Sequence, residues 1–200
     1  MNPRLNLLPD PAFADLKGLL SERLERVAAS IHPEHLGSML DPLMRQILER
    51  GFIEAGADEG TVWLPDEAGE HLVPAYNTGP NAAQFVNRFK QPLSSGLICM
   101  VFASEQPFLE NDVWKNSAQS KLLDTELGVQ TSAMIAVPFY FLRGCRGVVS
   151  CVQLKRNGSA APEPAGFRPE HLQRVQLAAT LLSRLIEFRL LSQAVSWTSD

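Results

Sequence analysis

Two stretches late in the chain, Ser132 to Phe141 and Arg146 to Lys155, constrain the fold most, because both are nearly continuous in their apolar character. A strand with one solvated face alternates polar and apolar residues, so unbroken runs predict strands buried on both faces. Only Leu142-Arg143-Gly144-Cys145 joins them, which makes them sequential neighbours in a sheet that needs cover on each side. A polar loop over residues 156–166 leads to a final helix from about Arg168 to Val195, with Pro169 and Glu170 suited to its first turn. Leu172, Val175, Ala179, Leu182 and Ile186 form one apolar stripe on that helix, and Ala178, Leu181, Leu185 and Phe188 form another. One stripe can face the sheet; the second needs a partner, either the N-terminal helix or a second copy of the chain.

Upstream, residues 1–11 carry three prolines and read as a tail. From Ala12, Leu16, Leu19, Leu20, Leu24, Val27 and Ile31 recur at helical steps until Pro33 interrupts. Leu36, Leu40, Leu43, Met44, Ile47 and Leu48 mark a second helical stretch that ends between Gly51 and Gly56. Thr61–Leu64 and His71–Tyr76 flank Pro65-Asp66-Glu67-Ala68-Gly69 as a hairpin. Asn81 to Lys90 and Leu97 to Ser104 read as short helices on either side of Pro92-Leu93-Ser94-Ser95-Gly96. Residues 105–131 are the least regular part, with a helical turn or two between Ser117 and Glu126. The order predicts an α+β fold with an antiparallel-rich sheet and helices on both faces.

Composition excludes several classes. With 18 Lys+Arg against 22 Asp+Glu the net charge is −4, so the electrostatic footprint of a nucleic-acid binder is missing. The longest apolar run, Ala133 to Leu142, is ten residues with Pro138 inside, about half of the ~20 needed to cross a bilayer. No leader pattern opens the sequence, and three cysteines without paired spacing fit a reducing compartment; the expectation is a cytoplasmic protein. Asn157-Gly158-Ser159 is then a turn, not a glycosylation site. The acidic run over residues 51–87, without Lys or Arg, reads as a solvated face.

In their order, several local phrases resemble a GAF domain, a small-molecule-sensing module of signalling proteins. Glu59-Gly60-Thr61-Val62-Trp63-Leu64, followed by Leu72 and Gly79, is similar to its first hairpin. Gly96 to Phe102 and then Gln106-Pro107-Phe108-Leu109-Glu110-Asn111-Asp112-Val113 resemble its glycine-helix, Pro, apolar, Asp stretch. Ser132 to Phe139, with Val137-Pro138, and Arg146-Gly147-Val148-Val149 resemble its central strand pair, and Phe167 with the last helix resembles its closing element. The resemblance spans about residues 55–195. It implies an antiparallel sheet of about six strands, terminal helices on one face and, on the other, a ligand lid of short helices and loops at residues 80–131. The chain then divides into a tail (1–11), N-terminal helices (12–54) and a GAF-like domain (55–197). The resemblance implies a homodimer through the N- and C-terminal helices; with no output domain after the last helix, the expectation is a signalling partner in trans, or a chain that is a piece of something longer.

Specific chemistries within that family fare unevenly. Cyclic-nucleotide binders carry Asn-Lys, then Phe, three residues and Asp-Glu; here Leu154-Lys155, Phe167 and His171-Leu172 retain only the Lys and the Phe. Bilin binders place a Cys before His, whereas Cys99, Cys145 and Cys151 precede Met100, Arg146 and Val152. Methionine-sulfoxide reductases of this fold use clustered cysteines, and an alternative reading puts Cys99 and Cys151 on one pocket as catalytic thiols. Cys145 and Cys151 lie six residues apart on one strand, about 20 Å when extended, too far to bridge. His32 and His35 flank Pro33 and have no third ligand near, so no metal site is expected. The expected ligand-binding set is Trp63, Tyr76, Cys99, Phe102, Asn111, Asp112, Trp114, Thr131, Tyr140 and Ser150: aromatic walls with a few polar orienters. The ligand, or any cofactor, is not named by these residues.

Overall fold

In a computed structural model, residues 14–29, 31–142, 144–155 and 163–195 are described. The tail, Arg143 in the hairpin turn and the Asn157-Gly158 turn lie outside them. Three helices open the chain, α1 (Ala14–Ala29), α2 (Pro33–Met39) and α3 (Pro42–Glu54). The stretch expected to be one helix over Leu36–Leu48 is two. Asp41 interrupts it, its Oδ1 accepting from the Met44 N–H at 2.9 Å, and Pro42 takes the first helical position, where its missing N–H costs nothing. The break turns Leu43 out to solvent.

Six strands follow, β1 (Glu59–Pro65), β2 (His71–Asn77), β3 (Gln91–Pro92), β4 (Phe108–Glu110), β5 (Gln130–Phe141) and β6 (Gly144–Lys155). They form one sheet in the order β3-β2-β1-β6-β5-β4 with every pairing antiparallel. The two long apolar runs are thus the sheet's centre. The β1–β2 turn is held by Asp66, whose Oδ1 accepts from the N–H groups of Glu70 (2.9 Å) and His71 (3.2 Å) while Oδ2 meets His71 Nδ1 at 2.9 Å. Short helices α4 (Ala82–Phe85), α5 (Leu97–Ser104) and α6 (Leu122–Leu127), with a 3-10 turn at Val113–Lys115, intervene before β5. The helix expected over Asn81–Lys90 is confined to the four residues of α4. Helix α7 (Pro169–Val195) closes the chain.

Each face of the sheet has its own core. Val62, Leu64, Ile135, Val137, Phe139, Val149 and Cys151 face the helical layer of α2, α3 and α7, where Leu36, Leu48, Phe52, Val175, Leu182 and Ile186 meet them. Trp63, Leu72, Met134, Ala136 and Val148 face the short helices, against Phe85, Leu97, Cys99, Val101 and Val113. The first stripe of α7 is buried as expected. The second divides: Ala178 is buried against Gly51 of α3, where an added Cβ would stand 2.6 Å from the Ala178 methyl. Leu181 and Phe188 remain 44% and 72% exposed, and Leu177 and Leu191 join them on the open side.

Candidate ligand-binding site

Between the sheet and the short-helix layer lies a cavity of about 60 Å³. Its floor follows from strand parity. Residues two apart on a strand share a face, so Glu59, Thr61 and Trp63 of β1 point into it, as do Ser150, Val152 and Leu154 of β6. Cross-strand pairing sets Thr61 opposite Ser150 and Glu59 opposite Val152. On β5 an irregularity between Thr131 and Ala133 shifts the parity by one, which brings Thr131 and Met134 to the same side. The roof comes from Gln91, the start of α5 at Gly96–Ile98, and the segment from Gln119 to Val129 that contains α6. Gly96 has φ +96°, a conformation that side chains rarely adopt, and a Cβ there would lie 3.2 Å from Ser120.

Polar groups at the cavity are knitted together. Trp63 Nε1 donates to Ser150 Oγ and Asn77 Nδ2 to Thr61 Oγ1, each at 2.9 Å. Asp124 of α6 accepts from the Thr131 N–H and from Thr131 Oγ1, both at 2.8 Å, tying the roof to the start of β5. Burial raises the pKa of Glu59; the negative charges of Asp58 and Asp124 add to that rise, and the Asn77 side chain opposes it. Among the described residues, Glu59 and Asp124 are the charged residues of the lining, and no Lys, Arg or His lines it.

Of the ten residues expected at a ligand, the cavity draws on Trp63, Thr131 and Ser150. Tyr76 lies on the helical side of the sheet, its hydroxyl donating to Glu49 Oε1 at 3.2 Å and its ring 5.6 Å from the Arg45 guanidinium. Cys99 and Phe102 belong to the lid-side core without lining the cavity, and Cys99 Sγ donates to the Pro92 carbonyl at 3.3 Å. Asn111 clamps the approach to α7: its Oδ1 accepts from the Phe167 N–H at 2.6 Å and its Nδ2 donates to the Phe167 carbonyl at 3.0 Å. Asp112 pairs with Lys115 at 2.8 Å, and the Lys115 ammonium stands 4.9 Å from the half-exposed Trp114 ring. Tyr140 is at the far end of β5, its hydroxyl on Glu105 Oε2 at 3.1 Å, beside a surface groove against α7.

The expectation that Cys99 and Cys151 face one pocket is overturned by the same parity. Cys99 sits in the lid-side core and Cys151 in the helical-side core, with the sheet between them. Burial pushes the Cys99 thiol up to about 11 and Cys151 up to about 12, so neither is a thiolate at neutral pH. Sequence reasoning passed over Glu59, Thr61, Gln91 and Asp124. Glu59 was counted into the solvated acidic run, although its two-residue step to Thr61 and Trp63 already puts all three on one face. Among the described residues, no three His, Cys, Asp or Glu side chains converge as a metal site. No helix among them is long and apolar enough to cross a membrane.

The chain belongs to the GAF domain family, whose profile matches residues 39–187. Solved structures agree on the fold. The GAF domain of a phosphoenolpyruvate-protein phosphotransferase from Coxiella burnetii is similar with a TM-score of 0.61 at 20% identity, over 93% of this chain and 100% of that one. A free methionine-R-sulfoxide reductase from Neisseria meningitidis, solved with its substrate, has a TM-score of 0.55 at 18% identity over 91% and 95%. A methyl-accepting chemotaxis protein fragment has a TM-score of 0.57 at 18% identity over 89% and 98%. No curated protein matches the chain. Membership places it in a family that is typically sensory or regulatory in signalling.

Proposed function

We propose that the chain is a cytoplasmic sensory module that binds a small molecule between sheet and lid and passes occupancy to a partner protein in trans. Residues 55–197 form the sensing unit, and the helices of residues 12–54 brace it. The observation that carries this reading is the cavity itself, enclosed by apolar residues and a few convergent polar groups, as ligand sites are. The lid contacts more than the ligand. Through Asn111 it grips Phe167, two residues before α7 begins, so lid movement reaches the helix through two hydrogen bonds and two residues of backbone.

Helix α7 is also the proposed homodimer interface, together with α1. Leu177, Leu181, Phe188 and Leu191 repeat at four-, seven- and three-residue steps, the spacing of a coiled-coil seam. An exposed apolar row of this kind, interrupted by Arg184 between Leu181 and Phe188, reads as an interaction surface. Native mass spectrometry tests both parts: a dimer carrying extra mass that leaves on denaturation is expected. A clean monomer refutes the interface, and Leu181→Glu with Phe188→Glu is expected to convert the dimer to a folded monomer. A thiol-dependent reductase is a poorer fit, because among the described residues no cysteine lines the cavity.

A further inference from the structure

The cavity is unbalanced in charge, since Glu59 and Asp124 line it and, among the described residues, no Lys, Arg or His does. Several donors around it are committed: Trp63 Nε1 to Ser150, Asn77 Nδ2 to Thr61, Thr131 to Asp124, and Gln91 Nε2 to the Ser95 carbonyl at 2.9 Å, while Gln119 and Ser120 also line the space. Each ionised carboxylate has about four lone-pair sites; Asp124 uses two of its own on Thr131, and Glu59 hydrogen-bonds the Asn77 side chain. Glu59 and Asp124 are close enough for the charge of one to act on the other, and among the described residues no cationic side chain lines the space to offset them.

We propose that the cavity takes a small organic cation rich in N–H donors, a guanidinium, amidinium or primary ammonium on a short apolar body, with Glu59 and Asp124 as its counter-charges. The inference rests on the reading of this cavity as the ligand site and adds the class of ligand. Size supports it. At about 10–15 Å³ for each water-sized group, a cavity of about 60 Å³ accommodates roughly four to six non-hydrogen atoms, the scale of methylguanidinium. Trp63 supplies an aromatic wall of the kind that attracts cations, and Leu97 and Met134 supply apolar contact. A divalent metal is a worse match, since hard cations collect six or more oxygen ligands and, among the described residues, two carboxylates face this space. An anion would meet two negative charges and no positive one.

The test is a size-matched panel of methylguanidinium chloride, n-propylammonium chloride, sodium propionate and propionamide. It is read on the full chain through the Met134 methyl NMR resonance at constant ionic strength. Ligands this small bind with dissociation constants of up to about 100 mM, so the titrations extend to that range. Saturable shifts with the two cations, weakened about tenfold or more by Glu59→Gln, and none with propionate are the expected result. If the variant fails to fold, the ranking of cation over anion and amide in the wild-type protein decides. Propionate or propionamide shifting Met134 while both cations leave it unmoved overturns the charge assignment and leaves the cavity reading intact. If no panel member moves the resonance, and xenon under pressure also fails to move it, both readings fall.

Discussion

Gly51→Ala is a quantitative probe of how α3 meets α7. A Cβ on Gly51 would stand 2.6 Å from the Ala178 Cβ and 3.9 Å from the Arg174 carbonyl oxygen. Two carbon atoms settle at about 3.5–4.0 Å, so the helices must separate by roughly 1 Å. Overpacking of this kind costs about 1–3 kcal/mol, against a gain of about 1 kcal/mol from replacing a helical Gly. The single variant should therefore lose about 0–2 kcal/mol. Ala178→Gly should lose about 2 kcal/mol, from about 1 of helix propensity and about 0.8 of buried methyl. In the double variant the new methyl meets no methyl, and about 1–3 kcal/mol should return relative to the sum. Urea unfolding of the four proteins at one protein concentration, followed by Trp fluorescence, measures the coupling. Additivity to within about 0.5 kcal/mol would refute the close approach and with it the account of why Ala178 is buried while Leu181 is not.

Asn111→Ala leaves the Phe167 N–H and carbonyl without their side-chain partners and should cost about 1–3 kcal/mol, with faster hydrogen exchange at the Phe167 amide; unchanged exchange would count against the clamp. Asp66 gives an acid-sensitive contribution. Partial burial works upward on it, but the N–H groups of Glu70 and His71 and the His71 ring outweigh this and hold it at about 2, from an ordinary 3.8. A depressed carboxylate stabilises fully above its unfolded pKa and loses that contribution as pH falls through its folded one. Stability should therefore drop between about pH 4 and pH 2, by about 1–2 kcal/mol once solvent screening is allowed for, and Asp66→Asn should flatten that part of the curve. Cys99 and Cys151 should react with Ellman's reagent at pH 7.5 about a hundredfold more slowly than in the unfolded chain; equal rates would contradict their burial.

Strands β5 and β6 and helix α7 were legible because burial on both faces, or on one stripe, writes itself into local composition. The site was far less so, since face depends on registers set by distant pairing. Val62 pairs with Tyr76, but Trp63 pairs with Pro74, the irregularity passing over Ala75. Tyr76 thereby shares the helical side with Val62, where a regular hairpin read from sequence leaves its face open. The same holds for Thr131 and Met134, which face one cavity only because β5 is irregular between them. Nothing local to those residues announces such shifts. Asn111 illustrates another limit: its partner is 56 residues away in the chain, so an Asn in a polar loop reads equally well as ligand contact or clamp.

The strand order has a consequence for synthesis. Strand β1 lies between β2, its sequence neighbour, and β6, with Glu59 facing Val152 and Trp63 facing Val148. At about 5–20 residues per second, the β1 edge waits roughly 5–20 s for its second partner to leave the ribosome. During that interval the β1–β2 hairpin offers an open edge to any other chain, and Glu59 and Asp58 are the charges near it that discourage such pairing. The cavity cannot exist before then, because its floor needs β1 and β6 side by side. A ligand held there would join an early half of the polypeptide to a late one, and would act on the step by which β6 closes onto β1, before α7 covers the other face of the sheet.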